Sequence, residues 1–403
     1  MTSFNSAIDA PASVRPVLKL LDKLEVGTLH LTVPNGQIIH FGNDDALTAH
    51  LRLKDWRVVT ETMKSGDVGL ALAYIDGHWD SPNLTLLLQL FIANRDALER
   101  VVYGSWWGSF IYRIKHLLNR NTKAGSSRNI LSHYDLGNNF YKLWLSPDMN
   151  YSSAWFKDST TTSLQDAQWA KVRRALDESD IGPGERILEI GFGWGAVAEV
   201  AARERKASLT GVTLSNAQHD YARKRLADQR LVADLRIQDY RDLNAEFKSQ
   251  PFDAIVSIEM FEAVGREYWD SYFNTLKTCL KPSGKAVIQS IVIRDDLFER
   301  YAAGTDFIQQ CIFPGGCLPS VAEFNKAAHK RGLKVTRTHE LGRDYAKTLA
   351  LWRQSFLSRS QEVMALGFDD KFMRLWNFYL VYCEAAFATG NTNVYQFTLE
   401  HSN

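Results

Sequence analysis

Residues 188–195 read Leu188-Glu189-Ile190-Gly191-Phe192-Gly193-Trp194-Gly195. The short apolar run Arg186–Ile190 predicts a strand, and Ala196–Arg205 predicts the helix that follows it. Glycines are needed where a chain turns sharply from strand to helix and its backbone must approach a ligand closely. The spacing is G-x-G-x-G, whereas the dinucleotide fingerprint is G-x-G-x-x-G with an acid about 20 residues on for the ribose. Leu209–His219 has no acid there and offers only neutral polar groups, among them Thr213, Ser215 and Gln218. A nicotinamide cofactor is therefore disfavoured. S-adenosylmethionine, with no pyrophosphate to cradle, fits better, and Asp239 is placed to accept from an adenine amino group.

Outward from this loop, strands and helices alternate. A helix is predicted at Leu164–Glu178 and another at Ala217–Ala227. Strands are predicted at Ser208–Val212, Ala233–Gln238, Ala254–Ile258 and Lys285–Ile293. Such alternation argues for α/β architecture with a parallel, doubly wound, Rossmann-like sheet. The stretch 301–387 reads as more helical, with enough aromatic residues to line an apolar pocket, although each one alone reads as ordinary core. Residues 18–96 read as a small α+β domain, with alternating runs at Gly27–Val33 and Gln37–Phe41 and helices at Asp44–Lys64 and Leu84–Asn94. Between the two, residues 101–134 contain no Asp or Glu but carry Arg113, Lys115, Arg120, Lys123 and Arg128. Tyr103, Trp106, Trp107, Phe110, Ile111, Ile114, Leu117 and Leu118 fall there at helical spacing. A Trp-bearing apolar face beside cations suits a membrane interface; a helix docked on its own protein gives the same pattern. Residues 121–127 read as a linker.

The chain has 403 residues, and 47 Lys+Arg against 46 Asp+Glu leave a net charge of +1. That length suggests two domains, and near-neutrality gives no chain-wide field for nucleic acid. No apolar run approaches the roughly 18–20 residues that span a bilayer, and the first residues lack a secretory h-region. The four cysteines, Cys279, Cys311, Cys317 and Cys383, form no C-x-x-C pair, so neither a disulfide framework nor a metal site is expected. The expectation is a soluble cytoplasmic enzyme.

Several motifs resemble, in order, those of the cyclopropane fatty acid synthase family. They are His133–Tyr141, Met149–Ala154, Glu189–Gly195, Gly211–Ser215, Gln238–Leu243, Met260–Gly265, Ile312–Ser320 and Tyr379–Phe387, and together they cover about Asn129 to the C-terminus. The resemblance implies a class I methyltransferase domain at 129–403 with a helical lipid-pocket elaboration. A small N-terminal domain at 1–100 and a basic amphipathic helix and linker at 101–128 would precede it. It implies transfer of a methyl group from S-adenosylmethionine to a cis double bond in a phospholipid acyl chain. A base, bicarbonate in the family, then removes a proton and the cyclopropane ring closes. Site residues follow position by position. Glu262, Tyr345 and Cys383 match the family's Glu, Tyr and C-terminal Cys. Gln289 stands where bacterial members have His, and Ser153 where they often have Cys; plant-type members share both. Gln can hydrogen-bond a bicarbonate but cannot carry its proton. For the cofactor the pattern points to Tyr151, Ser152, Gly191, Gly193, Thr213, Leu214, Gln218, Asp239 and Tyr240. The resemblance also favours the interfacial reading of 101–118, on the inner face of the membrane, and leaves the N-terminal domain two roles, orientation on lipid or homodimer formation. Gln289 and Ser153 keep a second outcome open, a methyl- or methylene-branched chain for a partner enzyme. A lipid- or cofactor-binding module would have no use for Glu262 with Tyr345 and Cys383. A nucleic-acid methyltransferase would show an N-P-P-Y-like loop where this chain has Glu259-Met260-Phe261-Glu262.

Overall fold

The computed structural model describes residues 10–44, 46–98, 136–157 and 159–402. The Trp-bearing stretch 101–118, the linker 121–127 and His133–Asp135 lie outside the described residues. The chain forms two compact units, neither of them one continuous stretch.

The first unit joins 10–98 to 303–312 and 360–391, so two stretches expected in the catalytic domain group with the N-terminal one. Its sheet has the order β2-β1-β3-β4, from β1 (Thr28–Thr32), β2 (Ile38–Gly42), β3 (Thr48–Leu53) and β4 (Trp79–Asp80). The helix expected over 44–64 is corrected here: Thr48–Leu53 is a strand that buries Ala49, Leu51 and Leu53 and exposes His50 and Arg52. A period of two decides against a helix. The helical segment Arg57–Ile75 follows, broken at Gly66 where φ is 61°. The C-terminal helix Asp370–Ala388 is tied in by Arg374, whose guanidinium donates to the Tyr74 carbonyl (2.6 Å) and the Trp79 carbonyl (2.9 Å). Tyr382 donates to Asp67 at 2.7 Å, and Phe378 packs against Tyr74 and Trp79.

The second unit holds a seven-stranded sheet in the order β10-β11-β9-β8-β5-β6-β7. Its strands are β5 (Arg186–Ile190), β6 (Ser208–Thr213), β7 (Asp234–Ile237), β8 (Phe252–Ile258), β9 (Leu280–Ile293), β10 (Leu333–Glu340) and β11 (Thr392–His401). Strands β5 to β9 pair in parallel, as the alternation predicts. The last two strands pair antiparallel. The reading of 301–387 as largely helical misses β10, because its alternate residues are polar and exposed. Leu188 and Ile190 feed one apolar cluster and Ile187 another, which is how a doubly wound sheet buries both faces. One register row matters below: Ile258 of β8 stands beside Gln289 of β9, and Gln289 beside Gln396 of β11. Among the described residues, no helix is long and apolar enough to cross a membrane.

Candidate active site

Ligands of open α/β sheets bind outside the carboxyl ends of the strands, and most of the predicted cofactor residues lie there. Gly191, Gly193 and Gly195, after β5, all have positive φ (84°, 51° and 85°). A Cβ on Gly191 would come within 2.9 Å of the Met260 side chain, whereas one on Gly193 would meet nothing within 4 Å. The loop is thus pressed against the segment after β8 on one side and open at Gly193. Glu189 is buried, and its Oε2 has no hydrogen-bond partner among the described residues. Burial pushes its carboxyl up to about 8, against the pull of Lys171 and Arg225. After β6, the Thr213 hydroxyl donates to Gln218 Oε1 (3.1 Å), and Ser215 caps the helix Asn216–Asp228; Leu214 lies between them. After β7, Asp239 is held by the Arg241 guanidinium (2.8 Å from Nε to Oδ1), and Tyr240 stacks edge-on against Tyr272 at 5.5 Å. Open backbone at Gly193 together with an orphaned buried carboxylate oxygen on Glu189 fits an S-adenosylmethionine better than an apolar ligand, since a cationic, hydrogen-bonding group would satisfy both.

Tyr151 and Ser152 lie on the stretch 149–157. The Tyr151 ring packs among Tyr141 (5.4 Å), Trp144 (5.5 Å) and Trp352 (5.4 Å). The Ser152 hydroxyl accepts from Lys171, and its carbonyl accepts from Gln168 at 2.8 Å. Lys171, on the helix Leu164–Glu178, is wholly buried. Desolvation pulls its ammonium down to about 8, although Glu259, Asp148 and Glu189 oppose this.

Three elements converge on Glu259, the residue after β8. Its Oε1 accepts from the Ser153 backbone N–H (2.8 Å) and from Gln289 Nε2 (2.7 Å), and its Oε2 accepts from the Tyr345 hydroxyl (2.8 Å). Its own N–H donates to the Gln289 carbonyl at 2.8 Å. Gln289 is oriented in turn: Gln396 Nε2 donates to its Oε1 at 3.0 Å, and Arg174 donates to Gln396 Oε1 at 2.6 Å. Tyr345 comes from the helix Gly342–Ser358, whose Thr348 hydroxyl accepts from the Ala154 N–H at 3.2 Å. Glu259 has φ 48°, a left-handed conformation costly for a residue with a Cβ. Three residues on, Glu262 accepts the Ile291 N–H on Oε1, while its Oε2 is buried. Burial and then the Glu259 charge push the Glu262 carboxyl up to about 8; burial raises Glu259 too, but Ser153, Lys171, Gln289 and Tyr345 hold it back. Burial thus disfavours the charge on both neighbouring carboxyls, and the three donors oppose this at Glu259.

Of the predicted catalytic set, Ser153, Gln289 and Tyr345 meet on one group and Glu262 stands three residues from it. Cys383 belongs to the other unit, on Asp370–Ala388, where burial and Asp306 raise its thiol above the ordinary range. Sequence reasoning missed Glu259 and Lys171. For Glu259 the available signal was two acids three apart in Glu259-Met260-Phe261-Glu262. Lys171 carries none, since in sequence it resembles any lysine of a surface helix.

The family described as mycolic acid cyclopropane synthetase matches residues 121–397. The tuberculostearic acid methyltransferase UfaA1 of Mycobacterium tuberculosis is 35% identical over 348 residues, 83% of this chain and 79% of that protein. The cyclopropane-fatty-acyl-phospholipid synthase of Escherichia coli is 32% identical over 349 residues, covering 86% of this chain and 87% of the relative. Among solved structures, mycolic acid cyclopropane synthase CmaA1 complexed with SAH and CTAB superimposes with a TM-score of 0.60 at 30% identity, over 68% of this chain and 97% of that one.

Proposed function

The chain belongs to the mycolic acid cyclopropane synthetase family, and from that premise we propose that it is an S-adenosylmethionine-dependent enzyme that adds a methyl carbon across the cis double bond of an unsaturated phospholipid acyl chain and closes it to a cyclopropane. The observation that carries this reading is a buried, hydrogen-bonded carboxylate beside the glycine loop at the carboxyl ends of β5 and β8. When bound, S-adenosylmethionine supplies an electrophilic methyl group. Gly191, Gly193, Thr213, Gln218 and Asp239 would hold it, with Tyr151 and Ser152 closing the site from the stretch 149–157. An alkene is a weak nucleophile, so the protein must align it and exclude water. Attack leaves a carbocation on the other alkene carbon, and the faces of Tyr151, Trp352 and Tyr345 can stabilise it without capturing it. The rings of Tyr345 and Trp352 lie 6.0 Å apart. The substrate's source implies work at a membrane surface, on its inner face.

A bicarbonate base does not fit the residues present. Ser153, Gln289 and Tyr345 would be its donors, and all three already donate to Glu259. The proton therefore needs another acceptor.

The test uses purified protein, S-adenosylmethionine and vesicles of cis-monounsaturated phospholipid, with the recovered fatty acid esters read by proton NMR. Upfield cyclopropane methylene signals are expected. Likeness to the tuberculostearic acid methyltransferase favours a second reading, the same methyl transfer ending in a methyl- or methylene-branched chain; a branched methyl or exomethylene signal with no upfield methylene would select it.

A further inference from the structure

We infer that the Glu259 carboxylate is itself the base of this reaction, so that turnover needs no bicarbonate or other carboxylate from solution. The inference rests on the methyl-transfer reading above and adds the group that takes the proton.

A small carboxylate ion held at this place would need donors from the stretch 149–157, from β9 and from the helix Gly342–Ser358. Those donors exist, and each is within 2.8 Å of an oxygen of a carboxylate the chain itself supplies. Oε1 accepts two of them, Ser153 N–H and Gln289 Nε2, and so has both lone pairs engaged. Oε2 accepts from Tyr345 alone among the described residues, which leaves it a lone pair for a proton. Three donors on two oxygens favour the ionised carboxylate, whose charge strengthens each of these hydrogen bonds. Gln289 does not act on a proton here. Its Oε1 is fixed by Gln396, which points its amide N–H at Glu259 and defines the orientation of the carboxylate. The left-handed backbone at Glu259 is a strain that the hydrogen bonds offset, as is found where a side chain must be aimed. Glu262 is the competing candidate. Its Oε1 takes the Ile291 N–H, against three donors on Glu259, so its ionised form is the less well held and it is the poorer candidate.

The step balances without a co-reactant. A C–H bond of the transferred methyl breaks, its electron pair forms the C–C bond that closes the ring, and the proton goes to Glu259 Oε2. The carboxyl then returns the proton to water. If the product is branched, the proton comes instead from a carbon next to the cation and the pair becomes a double bond; the acceptor is the same.

Wild type, Glu259→Gln, Glu259→Ala and Glu262→Gln are assayed on unsaturated phospholipid vesicles in carbon-dioxide-stripped buffer with and without added bicarbonate or formate. S-adenosylmethionine binding is followed by calorimetry, so that a misfolded variant is recognised. Wild type is expected to turn over equally in both buffers. Glu259→Gln is expected to lose about 10²–10⁴-fold, the range for a general base, while still binding S-adenosylmethionine. Glu259→Ala, whose three donors then face an empty place the size of a carboxylate, regains turnover in proportion to added bicarbonate or formate. A wild type that stops in stripped buffer and recovers with bicarbonate overturns the inference, as does Glu259→Gln at the wild-type rate, or a loss confined to Glu262→Gln. A wild type that methylates no unsaturated lipid at all fails earlier: it sinks the functional reading, and the assignment of the base goes with it.

Discussion

Glu262 and Gly193 carry predictions that can be read one residue at a time. The Glu262 carboxyl titrates near 8 in the folded chain, raised by burial and then by the charge on Glu259, and near the ordinary carboxyl value when unfolded. Between those two values the folded state binds the extra proton, so stability falls as pH rises from about 4.5 to about 8. Glu189, also pushed up to about 8, contributes in the same sense. Glu262→Gln removes one of the two titrations. The melting temperature of the variant should therefore decline less steeply than wild type between pH 5 and 8, and scanning calorimetry at several pH values checks it. A slope identical to wild type would mean that Glu262 is ionised at neutral pH in the fold. Gly193 tests the other half of the site. Its φ of 51° disfavours any Cβ, and the space beside it is open. Gly193→Val should cost about 1–2 kcal/mol of stability from the left-handed backbone and abolish S-adenosylmethionine binding by calorimetry. Retained binding would move the cofactor away from this loop.

At the scale of elements, the candidate site depends on the row Ile258–Gln289–Gln396 across β8, β9 and β11. Gln396 donates to Gln289 and to the Lys171 carbonyl (3.2 Å), so Gln396→Leu leaves a buried amide oxygen on Gln289 without its donor. That costs about 1–3 kcal/mol, a fall in melting temperature of about 2–4 °C for each kcal/mol in a unit of this size. It also frees the Gln289 amide to rotate away from Glu259. The maximal rate should fall while the S-adenosylmethionine dissociation constant holds; equal losses in both would mean that Gln396 only packs. The same row shows what sequence can and cannot tell. The glycine loop and the strands β5, β6 and β8 are legible because short apolar runs next to glycines have few alternatives. Tyr345, Gln289 and Glu262 are legible through motif likeness. Strand β10 is not, because its polar alternate residues imitate a surface helix, and β3 is masked by its position beside helical sequence. Glu259 is hidden for a different reason. Only the left-handed backbone turns it, and not Glu262, toward the three donors, and no residue in Glu259-Met260-Phe261-Glu262 announces a positive φ. Lys171 is hidden because the groups that receive its ammonium, Asn150 and Ser152, stand on another stretch of the chain that no spacing links to it.

For the whole molecule, the question is whether the N-terminal segment is a domain in its own right, as its sequence suggests. The packing answers through the two later stretches that complete it. Trp79 is wholly buried, and its ring meets Phe378 at 6.4 Å, while Tyr74 meets Phe378 at 5.4 Å. Phe307 packs edge-on against Phe378 at 5.0 Å. Arg374 takes up the carbonyls of Tyr74 and Trp79, and Asp67 receives both the Tyr382 hydroxyl and the Phe307 N–H (3.3 Å). A chain that stops before residue 303 leaves Trp79, Tyr74 and the apolar face of Leu84–Ala93 without their cover, and it strands two backbone carbonyls and a partly buried carboxylate. Loss of one buried aromatic contact set of this kind costs about 3–5 kcal/mol, comparable with the whole margin of a small domain. Residues 1–98 expressed alone should therefore show no cooperative thermal transition and a collapsed amide proton dispersion by NMR. Adding a peptide of residues 360–391 in trans should restore part of that dispersion. A fragment that melts cooperatively by itself would show that the N-terminal segment folds first and that the later helices merely dock on it.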